Sequence, residues 1–394
     1  MKNVISYFVI LLTAFTTSCT SSRQEKDVLV SIDVTKSYPE KEIPLTDIAE
    51  VTYLYLNSDD DDYLYSGSIN YITKNMVVVV DVSSSSILFF DRDGTPKSRF
   101  NHMGQGPGEY SRMPVVIYDD TADEVFVPSR NIIQVYSSTG EYKRTITLSD
   151  EIWINRMISF DEHSLFFYNG GNEITRERAR SNEVGLSVED YFITPFYRIS
   201  KLDGEVLDSV EIPYVPIFLG INLDGVQIPG IKNHLVKSLE GALLCSPETD
   251  TVFLYSHDKS LMPILYKTPS VGATDPMIYL NNYLERGQYQ FIEVCTVRRG
   301  DIYPGRFPVT HYIRNKRTSE VFRPKYHLPD YKGKEFAINP SAGNLYEDGL
   351  FFELDLIELK QAYRDNKLSG KLKELVATLN EDEDNNVFML VDFK

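Results

Sequence analysis

Short apolar runs rich in β-branched and aromatic residues recur along the chain, each closed by a polar turn. Val77 to Asp81 is followed by the polar Ser83 to Ser86, then by Ile87-Leu88-Phe89-Phe90 and the turn Asp91-Arg92-Asp93-Gly94. The phrase returns as Val125-Phe126-Val127, Pro128 to Asn131, Ile132 to Tyr136 and Ser137-Ser138-Thr139-Gly140. A looser copy runs through Phe196 to Ser200 with Lys201-Leu202-Asp203-Gly204. Others run through Ala242 to Cys245 and Thr251 to Tyr255 with Ser256 to Lys259, and through Thr310 to Arg314 with Asn315 to Thr318. Each reads as strand, loop, strand and tight turn, with glycine supplying the positive φ of the reversal.

The turn landmarks Gly94, Gly140, Gly204 and Lys259 lie 46, 64 and 55 residues apart. That spacing fits the four-stranded blade of a β-propeller, whose period is about 40–50 residues before loop insertions. A parallel α/β array needs a long periodic helix between strands, and none is visible. Helical periodicity is confined to the C-terminal part. Leu372, Leu375, Val376 and Leu379 share one face of a short helix, and Leu356, Leu359 and Tyr363 suggest another before it. Val51 to Leu56 and Val387 to Val391 both read as strands, so pairing the two ends in one blade can close a ring and hide its edges. The polar stretch from Asn172 to Asp190 reads as a long excursion from a blade.

The first residues follow different rules. Met1-Lys2-Asn3 is charged, Val4 to Phe15 is apolar apart from Ser6 and Thr13, and Thr16-Thr17-Ser18-Cys19 precedes a polar stretch. The apolar part is shorter than the roughly 20 residues of a permanent span, and the grammar is that of an export signal. Ser18-Cys19 resembles the lipobox of bacterial lipoproteins, although Thr16 stands where that pattern prefers an aliphatic residue. The resemblance implies lipid on Cys19 and cleavage before it. Residues 1–18 are thus expected as a signal peptide, 19–40 as a tether and 41–394 as a single propeller domain.

Removing residues 1–18 leaves 376 residues and takes the formal charge from −17 to −18. A chain so acidic is repelled by nucleic acid and anionic lipid surfaces. Beyond Cys19 only Cys245 and Cys295 remain. An oxidising compartment permits a bridge, but both sit in strand-like runs where cysteine is usually a small buried hydrophobe, and that reading is preferred.

The most distinctive segment is Gly104-Gln105-Gly106-Pro107-Gly108-Glu109-Tyr110, followed by Met113-Pro114 and the second copy of the phrase. It resembles the NHL-type propeller repeat, and more closely a family of six-bladed β-propeller lipoproteins from Gram-negative anaerobes. Ile43 to Ile48 and Asn386 to Lys394 resemble that family's two ends. The resemblance implies an all-β, six-bladed propeller at the cell envelope, on the outer membrane with its face open, and no settled activity.

Candidate chemistry is sparse. The Gly104 to Tyr110 element is no phosphate loop, since Pro107 removes an N–H donor, no lysine follows and strands flank it. It is expected as an inter-blade connection, with Gln105, Glu109 and Arg112 as the candidate ligand contacts. The acidic runs Asp59 to Asp62 and Glu381 to Asp384 lack calcium-loop grammar. The histidines never stand at metal-ligand spacing, and no metal or cofactor is expected. No nucleophile elbow occurs, and Arg176, Arg178 and Arg180 read as a solvated loop or an anion-facing lid. The preferred expectation is a lipid-anchored binding or scaffolding module for a carbohydrate, peptide or protein. The alternatives are an envelope lyase or hydrolase acting on sugar or peptide, and a part of a surface nutrient-uptake assembly.

Overall fold

The computed structural model describes residues 29–394 except 59, 112–115, 151, 170–195, 213–219, 224–225, 230–234, 246–248, 299–307, 339–344, 347–348 and 382, with backbone alone for 155, 220–223, 226–229 and 345. Six antiparallel sheets follow one another around an axis. Blade 1 runs outward through Gly67–Ile72, Met76–Asp81, Ser86–Asp91 and Pro96–Phe100. Blade 2 holds Ile117–Asp119, Glu124–Ser129, Ile132–Tyr136 and Tyr142–Thr147. Blade 3 holds Ile154–Ser159, Ser164–Asn169, Phe196–Ser200 and Val206–Val210. Blade 4 holds Leu235–Ser238, Gly241–Leu244, Thr251–Ser256 and Leu261–Thr268. Blade 5 holds Met277–Arg286, Tyr289–Val297, Val309–Asn315 and Val321–Leu328. Blade 6 joins Leu345–Tyr346, Gly349–Leu354 and the C-terminal Val387–Phe393 to Ala49–Tyr55 from the other end of the chain. The chain is a six-bladed β-propeller with four-stranded blades.

The repeated apolar phrase is the second and third strand of each blade. These strands are covered on both faces by neighbouring blades, so they read as continuous apolar runs without a polar alternation. Val77, Val79, Leu88 and Phe90 pack with Leu54 and Phe388 of blade 6. Their neighbours Val78, Val80, Ile87 and Phe89 pack with Tyr118, Val125 and Tyr136 of blade 2. Each such side chain, fully buried, contributes about 1.5–3 kcal/mol.

The turn that closes the phrase joins the third strand to the fourth, and it is built alike in five blades. Gly94, Gly140, Gly204, Lys259 and Ser319 all take positive φ. Their N–H groups donate to Asp91, Ser137, Ser200, Ser256 and Asn315 carbonyls at 2.8–3.0 Å. At Gly94, Gly140 and Gly204 glycine also lets the turn touch the preceding blade. A Cβ on Gly140 would lie 2.6 Å from Phe100 Cβ, and one on Gly204 would lie 2.4 Å from Ile146 Cγ2.

Strand pairing begins earlier than the 19–40 tether implied. Val30–Asp33 lies parallel to the outer strand of blade 4, with Val30 opposite Leu265. Glu40–Pro44 lies parallel to the outer strand of blade 5, with Glu40 opposite Arg323. The two predicted helices, Leu356–Arg364 and Gly370–Thr378, fill the connection between the second and third strands of blade 6. Leu356, Leu359, Leu372 and Val376 are buried, as the periodicity required. Asp355 caps the first helix by accepting from Glu358 N–H at 2.8 Å. Cys245 and Cys295 are both buried and are not joined by a disulfide.

Candidate functional site

Antiparallel order puts the first-to-second and third-to-fourth turns of every blade on one face of the ring. The other face carries the second-to-third turns and the connections between blades. Gly104 to Tyr110 follows the fourth strand of blade 1 and therefore lies on the second face. There it is tightly built. Gly106 N–H donates to Glu109 Oε2 at 2.7 Å, and Tyr136 Oη donates to the Gly108 carbonyl at 2.6 Å. Tyr110 is fully buried, donates through Oη to the Ser85 carbonyl at 2.9 Å, and accepts from His102 N–H at 3.1 Å. Gly108 has φ of +74°. Gln105 and Glu109 are exposed on this connection, and Arg112 lies outside the described residues, as do Arg176, Arg178 and Arg180.

The opposite face holds a cavity of about 810 Å³ on the axis, with walls from all six blades. Neither Gln105 nor Glu109 lines it. The innermost strands supply most of its residues, and three of these strands are irregular. The pairing register shifts between Ile69 and Tyr71, between Ile154 and Arg156, and between Leu280 and Asn282. The residue skipped is Asn70, Asn155 or Asn281. An extra residue of this kind bends a strand and re-aims the side chain that follows. Tyr71 and Arg156, each directly after such a shift, line the cavity. Asn70 holds its bend by accepting from the Val116 N–H of the next blade at 2.9 Å.

Charge in the lining is mixed: among the described residues it carries five cations and five carboxylates, blade 3 adding Asp161, Glu162 and Lys201 beside Arg156 and blade 1 adding Lys74. Arg156, Lys237 and Arg286 come from the innermost strands of blades 3, 4 and 5. Blades 6 and 2, which face blades 3 and 5 across a six-membered ring, supply Glu353, Asp119 and Asp120. Burial lowers the Arg156 guanidinium to a pKa of about 10. Burial, reinforced by the charges of Asp119 and Asp120, pushes the Tyr71 phenol above its ordinary value. Burial alone would raise the Asp119 carboxyl, but Lys201, 2.6 Å away, outweighs it and holds that carboxyl below the usual range. Asp161 is likewise held low, its burial outweighed by hydrogen bonds from Ser164 and the His163 N–H. Among the described residues six in the lining are exposed, namely Ser68, Lys74, Thr121, Glu162, Lys237 and Glu353, and all are polar. The lining isoleucines Ile69, Ile72, Ile117 and Ile158 are buried at 2–8% exposure and belong to the core. Among the described residues no three His, Cys, Asp or Glu side chains gather to hold a metal.

Comparison with known proteins agrees with the ring. Residues 20–197 match the family model DUF5128, described as a 6-bladed beta-propeller. A crystal structure from Bacteroides fragilis NCTC 9343, of a protein designated by inference as exported, superposes with a TM-score of 0.60 at 16% identity. The match covers 93% of this chain and all of that one, which shows a shared fold. The N-terminal domain of Nup159 matches more distantly, with a TM-score of 0.40 and 11% identity over 83% of this chain and 77% of that one. The WD40 domain of Neurospora crassa Pan2 gives 0.36 and 10% over 69% and 71%. No curated protein matches the sequence.

Proposed function

We propose that this protein is a lipid-anchored binding module of the cell envelope that holds a small hydrophilic ligand in the open end of its central channel. The observation that carries the reading is the cavity of about 810 Å³, whose polar residues come from all six blades. Its size lies within the usual range for small-molecule sites, and a closed ring fixes its walls before a ligand arrives. The charged start, the apolar run and Ser18-Cys19 support the anchor. The export designation of the Bacteroides fragilis protein is consistent with an envelope location.

Binding is favoured over catalysis by the state of the buried carboxylates. Asp119 and Asp161 are both held ionised by fixed partners, whereas a general acid needs a carboxyl raised toward neutrality. Among the described residues the lining contains neither histidine nor cysteine.

A thermal-shift screen of small hydrophilic compounds tests the reading, because a ligand of the native state raises the melting temperature by mass action. Thr121, exposed at the cavity, is the control position. Thr121→Trp should plug the mouth and abolish the shift produced by any true ligand. A screen without hits, or hits indifferent to the plug, would reject the channel as the binding site.

A further inference from the structure

The geometry points to the outer rim of blades 3 and 4, on the face that holds the mouth of the cavity, as a docking surface for a zwitterionic lipid bilayer. The inference rests on the lipid anchor at Cys19 and adds which part of the ring that anchor brings against the membrane.

Exposed apolar side chains carry the first half of the argument. Leu202 and Leu239, at 73% and 70%, are the most exposed large hydrophobic residues among those described. Leu202 stands in the third-to-fourth turn of blade 3 and Leu239 in the first-to-second turn of blade 4, so both lie on the cavity face. Val206 and Leu207 in the outer strand of blade 3, and Leu261 and Met262 in that of blade 4, are exposed as well. Packing joins the two blades here. The His257 ring of blade 4 lies 5.0 Å from that of Phe160 in blade 3, and its Nε2 lies 3.2 Å from the Leu239 carbonyl. Tyr255, opposite Leu261, donates through Oη to Asp208, the neighbour of Leu207. A single exposed leucine is ordinary, whereas a group on two adjacent blades marks an interaction surface. On the far face the exposed residues Leu64, Val82, Val309 and Ile357 are spread over blades 1, 5 and 6.

The path of the N-terminal chain supplies the occupant. Val30 stands opposite Leu265 in a parallel pairing, so the chain enters blade 4 from the Leu261 end of that strand. Leu29, just before it, is itself exposed. Cys19 is ten residues ahead of Leu29, and ten residues of chain span at most about 35 Å. A domain of this size is roughly 50 Å across, so a lipid on Cys19 holds blade 4 and its neighbours toward the bilayer and cannot bring the opposite side of the ring there. Charge selects the kind of lipid. The same turns and strand ends carry the exposed carboxylates of Asp203, Glu205, Glu240 and Asp258 against Lys237 and Lys259. Anionic headgroups are repelled, and docking runs on apolar insertion. Contact at blades 3 and 4 lifts blades 6 and 1, which stand opposite them, so the cavity mouth stays open on that side.

The test is quenching of tryptophan fluorescence in the lipidated protein, reconstituted into phosphatidylcholine vesicles with brominated acyl chains. The chain's single tryptophan, Trp153, lies on the connection into blade 3, on the far face, and serves as the internal control. Leu202→Trp and Leu239→Trp each add a reporter on the proposed surface, and Val82→Trp adds one on the far face. All three replace exposed side chains, so the core is untouched. The emission added at positions 202 and 239 should fall by roughly twofold or more, since a docked apolar residue sits about 5–10 Å into the headgroup and acyl boundary. The emission added at position 82 and that of the wild type should hardly change, and phosphatidylglycerol should give no gain. Leu202→Gln should reduce the quenching of Leu239→Trp. Equal quenching at positions 82 and 239, stronger quenching at 82, quenching that needs phosphatidylglycerol, or indifference to Leu202→Gln would overturn the inference. A protein that fails to float with the vesicles would overturn the anchor together with it, whereas one that floats without these contrasts overturns the docking surface alone.

Discussion

Lys201 Nζ lies 2.6 Å from Asp119 Oδ2, joining the last turn of blade 3 to the end of the innermost strand of blade 2. Both side chains are nearly buried, at 8% and 11% exposure, so the pair is shielded from salt. Lys201 Nζ also stands 6.0 Å from the centre of the Phe126 ring. The ion pair clamps two blades at the rim of the cavity.

Asp119→Asn should therefore destabilise the ring by about 3 kcal/mol at neutral pH, because it leaves a buried ammonium without its counter-charge. The pH dependence has a definite sign. The Asp119 carboxyl titrates below its ordinary value in the folded chain. Its contribution is complete above the unfolded pKa of about 3.9 and fades as pH falls through the lower folded value. Denaturant unfolding at pH 7 and at pH 3 checks this. The gap between wild type and variant should narrow at the lower pH, and a gap that is constant or widens would contradict the assignment.

Gly140→Ala should cost more than the roughly 1 kcal/mol of a left-handed position, since its Cβ would also strike Phe100 of the preceding blade. Gly333 is the control, with φ of +78° and nothing within 4 Å of a built Cβ, so Gly333→Ala should show backbone strain alone. On the far face, Gly108→Ala should destabilise more than Glu109→Gln, because Gly108 is left-handed and Glu109 is an exposed acceptor whose amide replacement still accepts. Melting temperatures of the four variants give the order directly. Equal melting of Gly140→Ala and Gly333→Ala would show that the blades separate freely at that turn.

Cys19→Ala should abolish labelling by a fatty-acid analogue and move the protein from the membrane to the soluble fraction. Retained label with unchanged fractionation would exclude Cys19 as the anchor.

Blade 6 is closed by the register from Ala49 opposite Phe393 to Tyr55 opposite Val387. Ending the chain at Asn386 removes Val387, Phe388 and Met389, which are fully buried, and leaves two unpaired edges. The shortened chain should lose its single cooperative melt by calorimetry. A cooperative transition close to that of the full chain would show that closure is dispensable.

The blades were legible because burial on both faces writes itself into sequence as doubled apolar runs, as in Val77 to Val80 and Ile87 to Phe90. The helices were legible for a similar reason, their buried faces being local. Val30–Asp33 was not, since a four-residue strand carries little pattern and its partner at Leu265 to Thr268 is remote. The channel was the least visible part. Arg156, Lys237 and Arg286 are single residues on separate strands, and only the closed ring brings them together. One signal existed: an asparagine after an aliphatic residue in an innermost strand, in Ile69-Asn70, Ile154-Asn155 and Leu280-Asn281, marks the bends beside the cavity. The Gly104 to Tyr110 element drew the eye because backbone constraint is loud in sequence, whereas dispersed charge is quiet.

The three described strands before residue 56 find their partners beyond residue 260: Val30 at Leu265, Glu40 at Arg323 and Ala49 at Phe393. A chain made from its N-terminus can complete blades 1 to 3 from hairpins formed nearby. Val30–Asp33 must wait for blade 4 and Glu40–Pro44 for blade 5, and Ala49–Tyr55 must wait until nearly the last residue has emerged. Pairing over such separations is slow, since loop closure precedes any gain from contact. During that interval these strands stay open to the wrong neighbour, Ala49–Tyr55 for the longest. A nascent or stalled chain would display them as free edges, the form in which copies of one protein pair with each other.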